Sequence, residues 1–137
     1  MINGWKGVRV ADYLLDTTAL IDHLHGRQAV TVLVSNLVQQ GHRLGVCCVN
    51  VAELYSGLGH EERARADRLI ATLEYYEVTS QIAKEAGRHR YEYTRQGRSL
   101  STTDTLIAAT AIDQGATLIT ANTKDFPMEE IQLLDHP

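Results

Sequence analysis

Strand-like and helix-like patterns alternate along this chain, and that alternation leaves few folds open. Short apolar runs at residues 9–15, 44–49, 75–79, 117–120 and 131–134 are separated by stretches of helical periodicity. Strands parted by helices pair in parallel through crossover connections, which defines an α/β domain. The helical stretches begin at 17–24, where Leu20, Ile21 and Leu24 share a face. A second, at 28–40, has Ala29, Val32, Leu33 and Leu37 at amphipathic spacing and a stop at Gly41. Residues 51–58 read as a short helix ending at Gly57 or Gly59, and 60–73 as another with Ala64, Leu69, Ile70 and Leu73 inward. Ser80 is the expected cap of a charged, tyrosine-rich helix to residue 96, broken by Gly97. At 103–114, Leu106, Ile107, Ala109, Thr110 and Ala111 leave little polar surface, so this helix is expected at the centre. The run at 131–134 is expected at the sheet edge.

Size and composition are those of one folded domain over residues 1–137. Apolar residues make up 44% of the chain, which excludes disorder as a reading. No stretch approaches the roughly 18 uncharged apolar residues of a membrane span. The N-terminal residues do not resemble a secretory signal, and residues 1–8 are expected to be an extended or disordered segment. Cys47 and Cys48 are adjacent, expected on opposite faces of a strand, and too strained to pair, so they read as reduced packing residues of a cytoplasmic protein. The net charge of −4 carries no basic surplus for nucleic acid. Arginines do cluster at Arg63, Arg65 and Arg68 and at Arg88, Arg90, Arg95 and Arg98. As charge runs these read first as solvated helix faces.

Against this frame four acids stand out. Asp16 ends the first apolar run, Glu53 follows the second, Asp104 heads the most apolar helix and Asp125 trails the fourth run. Open parallel sheets place their functional crevice beyond the carboxyl ends of the strands, where these four would meet. Each also has a local explanation. Asp16 suits a helix N-cap, Ser101 with Asp104 three residues on suits a capping box, and Glu53 suits a first helical turn. Asp125 with Asn122 suits a tight turn. Gathered together, four carboxylates repel by about 4 kcal/mol per close pair at an effective dielectric of 20. They persist by taking up protons or by holding a cation, and all-oxygen donors favour Mg²⁺ or Mn²⁺. No His-x-x-x-His or Cys-x-x-Cys pair calls for zinc, and the six histidines read as surface groups.

The segments Leu15-Asp16-Thr17-Thr18-Ala19-Leu20-Ile21-Asp22 and Val49-Asn50-Val51-Ala52-Glu53-Leu54-Tyr55-Ser56-Gly57 carry a family resemblance. It continues through Asp104-Thr105-Leu106-Ile107-Ala108-Ala109-Thr110-Ala111 and Leu118-Ile119-Thr120-Ala121-Asn122-Thr123-Lys124-Asp125-Phe126. Four such blocks, in order, resemble the PIN-domain ribonucleases, and within them the VapC-type toxins of toxin–antitoxin pairs. The resemblance implies a PIN-like three-layer α/β/α domain with a central, mainly parallel twisted sheet of four to five strands. It implies Asp16, Glu53, Asp104 and Asp125 as the catalytic, metal-binding acids, with Thr17, Thr120 and Asn122 as polar support. It further implies Mg²⁺ or Mn²⁺ as cofactor, RNA as substrate, a VapB-like, DNA-binding antitoxin as partner, and a homodimer. The segment before the first strand is longer than in most relatives. Asn50 stands where many carry Ser or Thr, an exchange expected to matter little because either bonds locally.

The chemistry these residues permit is hydrolysis of an RNA phosphodiester by activated water, an endoribonuclease reaction. Glu53 is expected to bind a metal-bound water or a second ion, or to accept the nucleophile's proton. Thr17 or Thr18 is a candidate to bond a phosphate oxygen or a metal-bound water, and Arg98 is a candidate contact to the RNA backbone. A phosphatase with an Asp nucleophile needs a second Asp two residues on, where Thr18 stands. A phosphoacceptor receiver domain needs an Asp after the third strand, and 75–79 offers none. The remaining alternative is a non-catalytic PIN-like module that binds RNA or protein.

Overall fold

The computed structural model describes residues 11–136. The expectations for residues 1–8, and for the first strand before residue 11, lie outside the described residues. Strands β1 (Tyr13–Leu15), β2 (Leu44–Cys47), β3 (Glu74–Tyr76), β4 (Thr117–Thr120) and β5 (Gln132–Asp135) form one sheet in the order β3-β2-β1-β4-β5. Every neighbouring pair is parallel, so the sheet is wholly rather than mainly parallel. The helices are α1 (Thr17–Leu24), α2 (Gln28–Gln39), α3 (Cys48–Ser56), α4 (Arg63–Ala71), α5 (Ser80–Arg95) and α6 (Thr102–Gln114). Among the described residues no helix is long and apolar enough to cross a membrane.

Side-chain alternation along the central strands divides the core in two. Leu15, Val46 and Ile119 point to one face, where they bury Leu20 and Leu24 of α1, Val30, Val34 and Leu37 of α2, and Leu54 of α3. Leu14 and Leu118 point to the other, against Ile107, Ala108 and Ala111 of α6. Each fully buried Leu or Ile contributes roughly 1.5–3 kcal/mol relative to exposure. Helix α5 packs mainly on α6, its Ile82 and Ala86 against Ala109, and its Tyr93 reaches the second core cluster. Helix α6 is thus sandwiched between sheet and α5, which is why its sequence carries apolar residues on nearly every side. Gly45 lets β2 lie close to its neighbours, since a Cβ there would stand 2.9 Å from Ala11 Cβ and 3.0 Å from Glu74 O.

Several boundaries differ from the sequence reading. Strand β2 ends at Cys47, and Cys48 opens α3 rather than continuing the strand, so the two thiols do not flank one pleat; both are free. Strand β3 is shorter and begins one residue earlier, at Glu74. The helix expected at 60–73 is a 3₁₀ turn over His60–Glu62 followed by α4. Thr79, not Ser80, caps α5, its hydroxyl accepting from Ile82 N at 3.1 Å. A cap must have extended backbone and sit outside the helix, and Thr79 meets that condition one residue upstream. Strand β5 is shifted by one residue but lies at the sheet edge, as expected.

Candidate active site

Parallel pairing puts the carboxyl ends of β1, β2 and β4 on one edge of the sheet, and the four acids follow from there. A cleft of about 220 Å³ at that edge is lined by Asp16, Glu53, Asp104 and Asp125, together with Thr17, Thr18, Ile107, Asn122 and Phe126. Larger hollows exist elsewhere, but this is the one that collects the acids.

Asp16 comes directly after β1 and is 5% exposed. It is the N-cap of α1, its Oδ1 accepting from Ala19 N at 2.8 Å, so the capping role and the cleft position coexist. Burial pushes its carboxyl above the ordinary 3.8. Hydrogen bonds from the Thr120 hydroxyl and the Ala19 N–H oppose that, as does the field of His136, while Asp22 adds to it. Thr120 is buried just outside the cleft, and its Oγ1 also accepts from Asn122 N at 2.9 Å. One hydroxyl therefore ties Asp16 to the start of the loop that carries Asp125.

Asp104 sits in the first turn of α6, where its backbone N–H donates to the Ser101 cap at 3.0 Å. Its carboxyl is also raised, first by burial and then by the charges of Asp125, Glu53 and Asp16, with the Ser101 hydrogen bond opposing. The carboxylates therefore feel one another across the cleft. Asp125 closes a 3₁₀ turn over Thr123–Asp125, held by its N–H donating to Asn122 O at 2.9 Å.

Glu53 reaches the cleft from the middle of α3 and is steadied by a chain of hydrogen bonds. Its Oε1 accepts from the Thr17 hydroxyl; Thr17 Oγ1 in turn accepts from Asn50 Nδ2 at 3.1 Å, and Asn50 Oδ1 accepts from Cys47 N at 3.1 Å. Asn50 is fully buried. It does more than bond locally, because its amide spans from the α3 cap to α1, a reach that a Ser or Thr hydroxyl lacks.

His136 corrects the expectation that the histidines lie on the surface. It is 2% exposed at the end of β5, with its N–H donating to Thr120 O at 3.2 Å, and its field reaches Asp16. The available signal was positional: it follows the last strand at the same edge as the acids. Arg98 does not line the cleft; its Nη2 donates to Lys124 O at 2.8 Å.

Among the described residues no three His, Cys, Asp or Glu side chains converge tightly enough to hold a bare ion. The donor set nevertheless fits a hydrated hard cation. Mg²⁺ keeps several waters and is commonly held by one or two carboxylates, with others reached through its hydration shell. Four acids around a small polar cleft, one of them raised by burial and further by the other three, meet that requirement.

Residues 13–128 match the PIN domain family model. The chain belongs to the PIN-domain family. This PIN domain is 36% identical over 115 residues to Ribonuclease VapC19 of Mycobacterium tuberculosis, covering 84% of the chain and 92% of the relative. It is likewise 36% identical over 117 residues to Ribonuclease VapC10 of the same organism, covering 85% and 87%. In fold it is similar to VapBC2 from Rickettsia felis bound to a promoter DNA fragment. That match has a TM-score of 0.82 at 21% identity and covers 91% of this PIN domain and 98% of the solved chain.

Proposed function

We propose that this PIN domain is a Mg²⁺- or Mn²⁺-dependent endoribonuclease and the toxin of a VapBC-type pair. The observation that carries the reading is the convergence of Asp16, Glu53, Asp104 and Asp125 on one cleft at the carboxyl edge of the sheet. The relatives named as VapC ribonucleases support RNA as the substrate. The neighbouring VapBC complex on promoter DNA supports an antitoxin partner that binds DNA. The homodimer belongs to the same proposal, and sizing by light scattering tests it.

Asp16, Glu53, Asp104 and Asp125 would hold the hydrated cation between them, in part through its waters. When bound, the cation lowers the pKa of a coordinated water and offsets charge growing on the phosphate oxygens. Glu53, fixed by Thr17, accepts the proton of the attacking water. The new P–O bond forms as the bond to the 3′-oxygen breaks, and that oxygen takes a proton from solvent. The products carry a 5′-phosphate and a 3′-hydroxyl. Thr18, exposed at the cleft mouth, is available to a phosphate oxygen.

Incubation of the purified protein with total RNA tests this. Cleavage should require added Mg²⁺ or Mn²⁺ and stop with EDTA. Intact RNA with a salt-dependent gel shift would instead identify a binding module, and cleavage indifferent to chelation would remove the metal from the mechanism.

A further inference from the structure

The arginine-rich helix α5 has no part in the chemistry above, yet three side chains from it and its C-terminal turn reach the loops that carry two of the acids. Arg90 Nε donates to Leu100 O at 2.8 Å. Leu100 directly precedes Ser101, the cap of α6 that fixes the turn bearing Asp104. Tyr93 donates its hydroxyl to Pro127 O at 3.0 Å, and Arg98 Nη2 donates to Lys124 O at 2.8 Å. Lys124 and Pro127 flank Asp125 on either side. All three acceptors are main-chain carbonyls outside the α-helices and strands, the groups that need partners when a segment is to stand still.

We infer that Arg90, Tyr93 and Arg98 are positioning residues that fix Asp104 and Asp125 relative to each other from the outer helix. Two like charges on separate segments repel, and the packed side chains of Leu100, Phe126 and Met128 anchor those segments from the core side. Arg90 and Tyr93 on α5, and Arg98 on the turn that its N–H closes onto Tyr93 O at 2.8 Å, grip the same segments from outside, so the two acids are referred to a common frame. Arg98, readable in the sequence as an RNA contact, acts here on the site's geometry instead. Small misplacement of a reacting group costs up to about a hundredfold in rate.

The inference rests on the nuclease reading for its kinetic effect, but its test does not depend on RNA alone. The double variant Tyr93→Phe with Arg98→Ala should lower kcat by about tenfold or more and leave KM unchanged. It should weaken Mn²⁺ binding, followed by electron paramagnetic resonance, and speed amide exchange at residues 122–128. Tyr93→Phe alone removes one oxygen and should move the same quantities in the same direction by less. Arg98→Lys, which keeps a donor, should recover part of the kcat. A raised KM with unchanged kcat and a shallower salt dependence would make Arg98 an RNA contact and overturn the inference. Unchanged Mn²⁺ binding and loop exchange in both variants would overturn it as well. A wild-type protein that fails to cut RNA defeats the nuclease reading, while the Mn²⁺ and exchange measurements still decide the brace.

Discussion

The two walls of the acidic cleft are held by different means. On the wall built by α1 and α3, Asp16 and Glu53 are fixed from within: Asp16 caps its own helix, and Glu53 hangs on the buried chain from Cys47 N through Asn50 and Thr17. On the wall built by α6 and the loop after β4, Asp104 in a first helical turn and Asp125 in a 3₁₀ turn are tied from outside by α5 and its C-terminal turn. The inner wall is tied by hydrogen bonds among residues that directly follow β1 and β2. The outer wall depends on a helix that packs mostly on α6, and its rigidity is borrowed.

The comparison breaks most visibly at the acids themselves. Asp16→Asn and Asp104→Asn should each lower RNA cleavage by more than about a hundredfold, beyond the 10–100-fold usual for an outer-shell partner. Cleavage rates on a defined RNA check this, and a milder loss at Asp104 would mean that the outer wall is dispensable. Next in size is Asn50. Asn50→Ala leaves the buried Cys47 N–H unpaired and should cost about 1–3 kcal/mol of stability. Asn50→Ser restores a local cap but not the reach to Thr17, so denaturant unfolding should improve while cleavage stays depressed. Equal cleavage by Asn50→Ser and wild type would show that Thr17 needs no such tether.

The smallest effect is electrostatic. The Asp104 carboxyl is raised above 3.8 by burial and by its acidic neighbours, so the folded protein holds that proton more tightly than the unfolded chain. Its charge therefore opposes folding at neutral pH. The penalty fades as pH falls through the raised value toward 3.8. In cation-free buffer Asp104→Asn should raise the melting temperature at pH 7 and do so less at pH 4. A lower melting temperature at pH 7 would show that the carboxylate is stabilised in place.

Much of this was legible in the sequence because a parallel sheet turns chain order into geography. Once apolar runs alternate with helices, acids that trail those runs or head the helices share an edge, and Asp16, Glu53, Asp104 and Asp125 do. The features missed depend on where individual side chains point. Cys48 continues an apolar run in sequence but starts a helix, because β2 has already reached its last pairing position at Cys47. Asn50 looks interchangeable with Ser until its amide is seen to bridge two helices. Arg98 looks like a solvated cation until Lys124 O is found beside it, and His136 looks exposed until β5 docks on β4. Pattern gives the edge; packing gives the direction.

Diffraction from crystals soaked in Mn²⁺, measured near the manganese absorption edge, tests the central claim most directly. The account predicts an anomalous peak in the cleft between Asp16 and Asp104, lost in Asp16→Asn. A cleft without a peak at saturating Mn²⁺, or a peak elsewhere on the molecule, would contradict it.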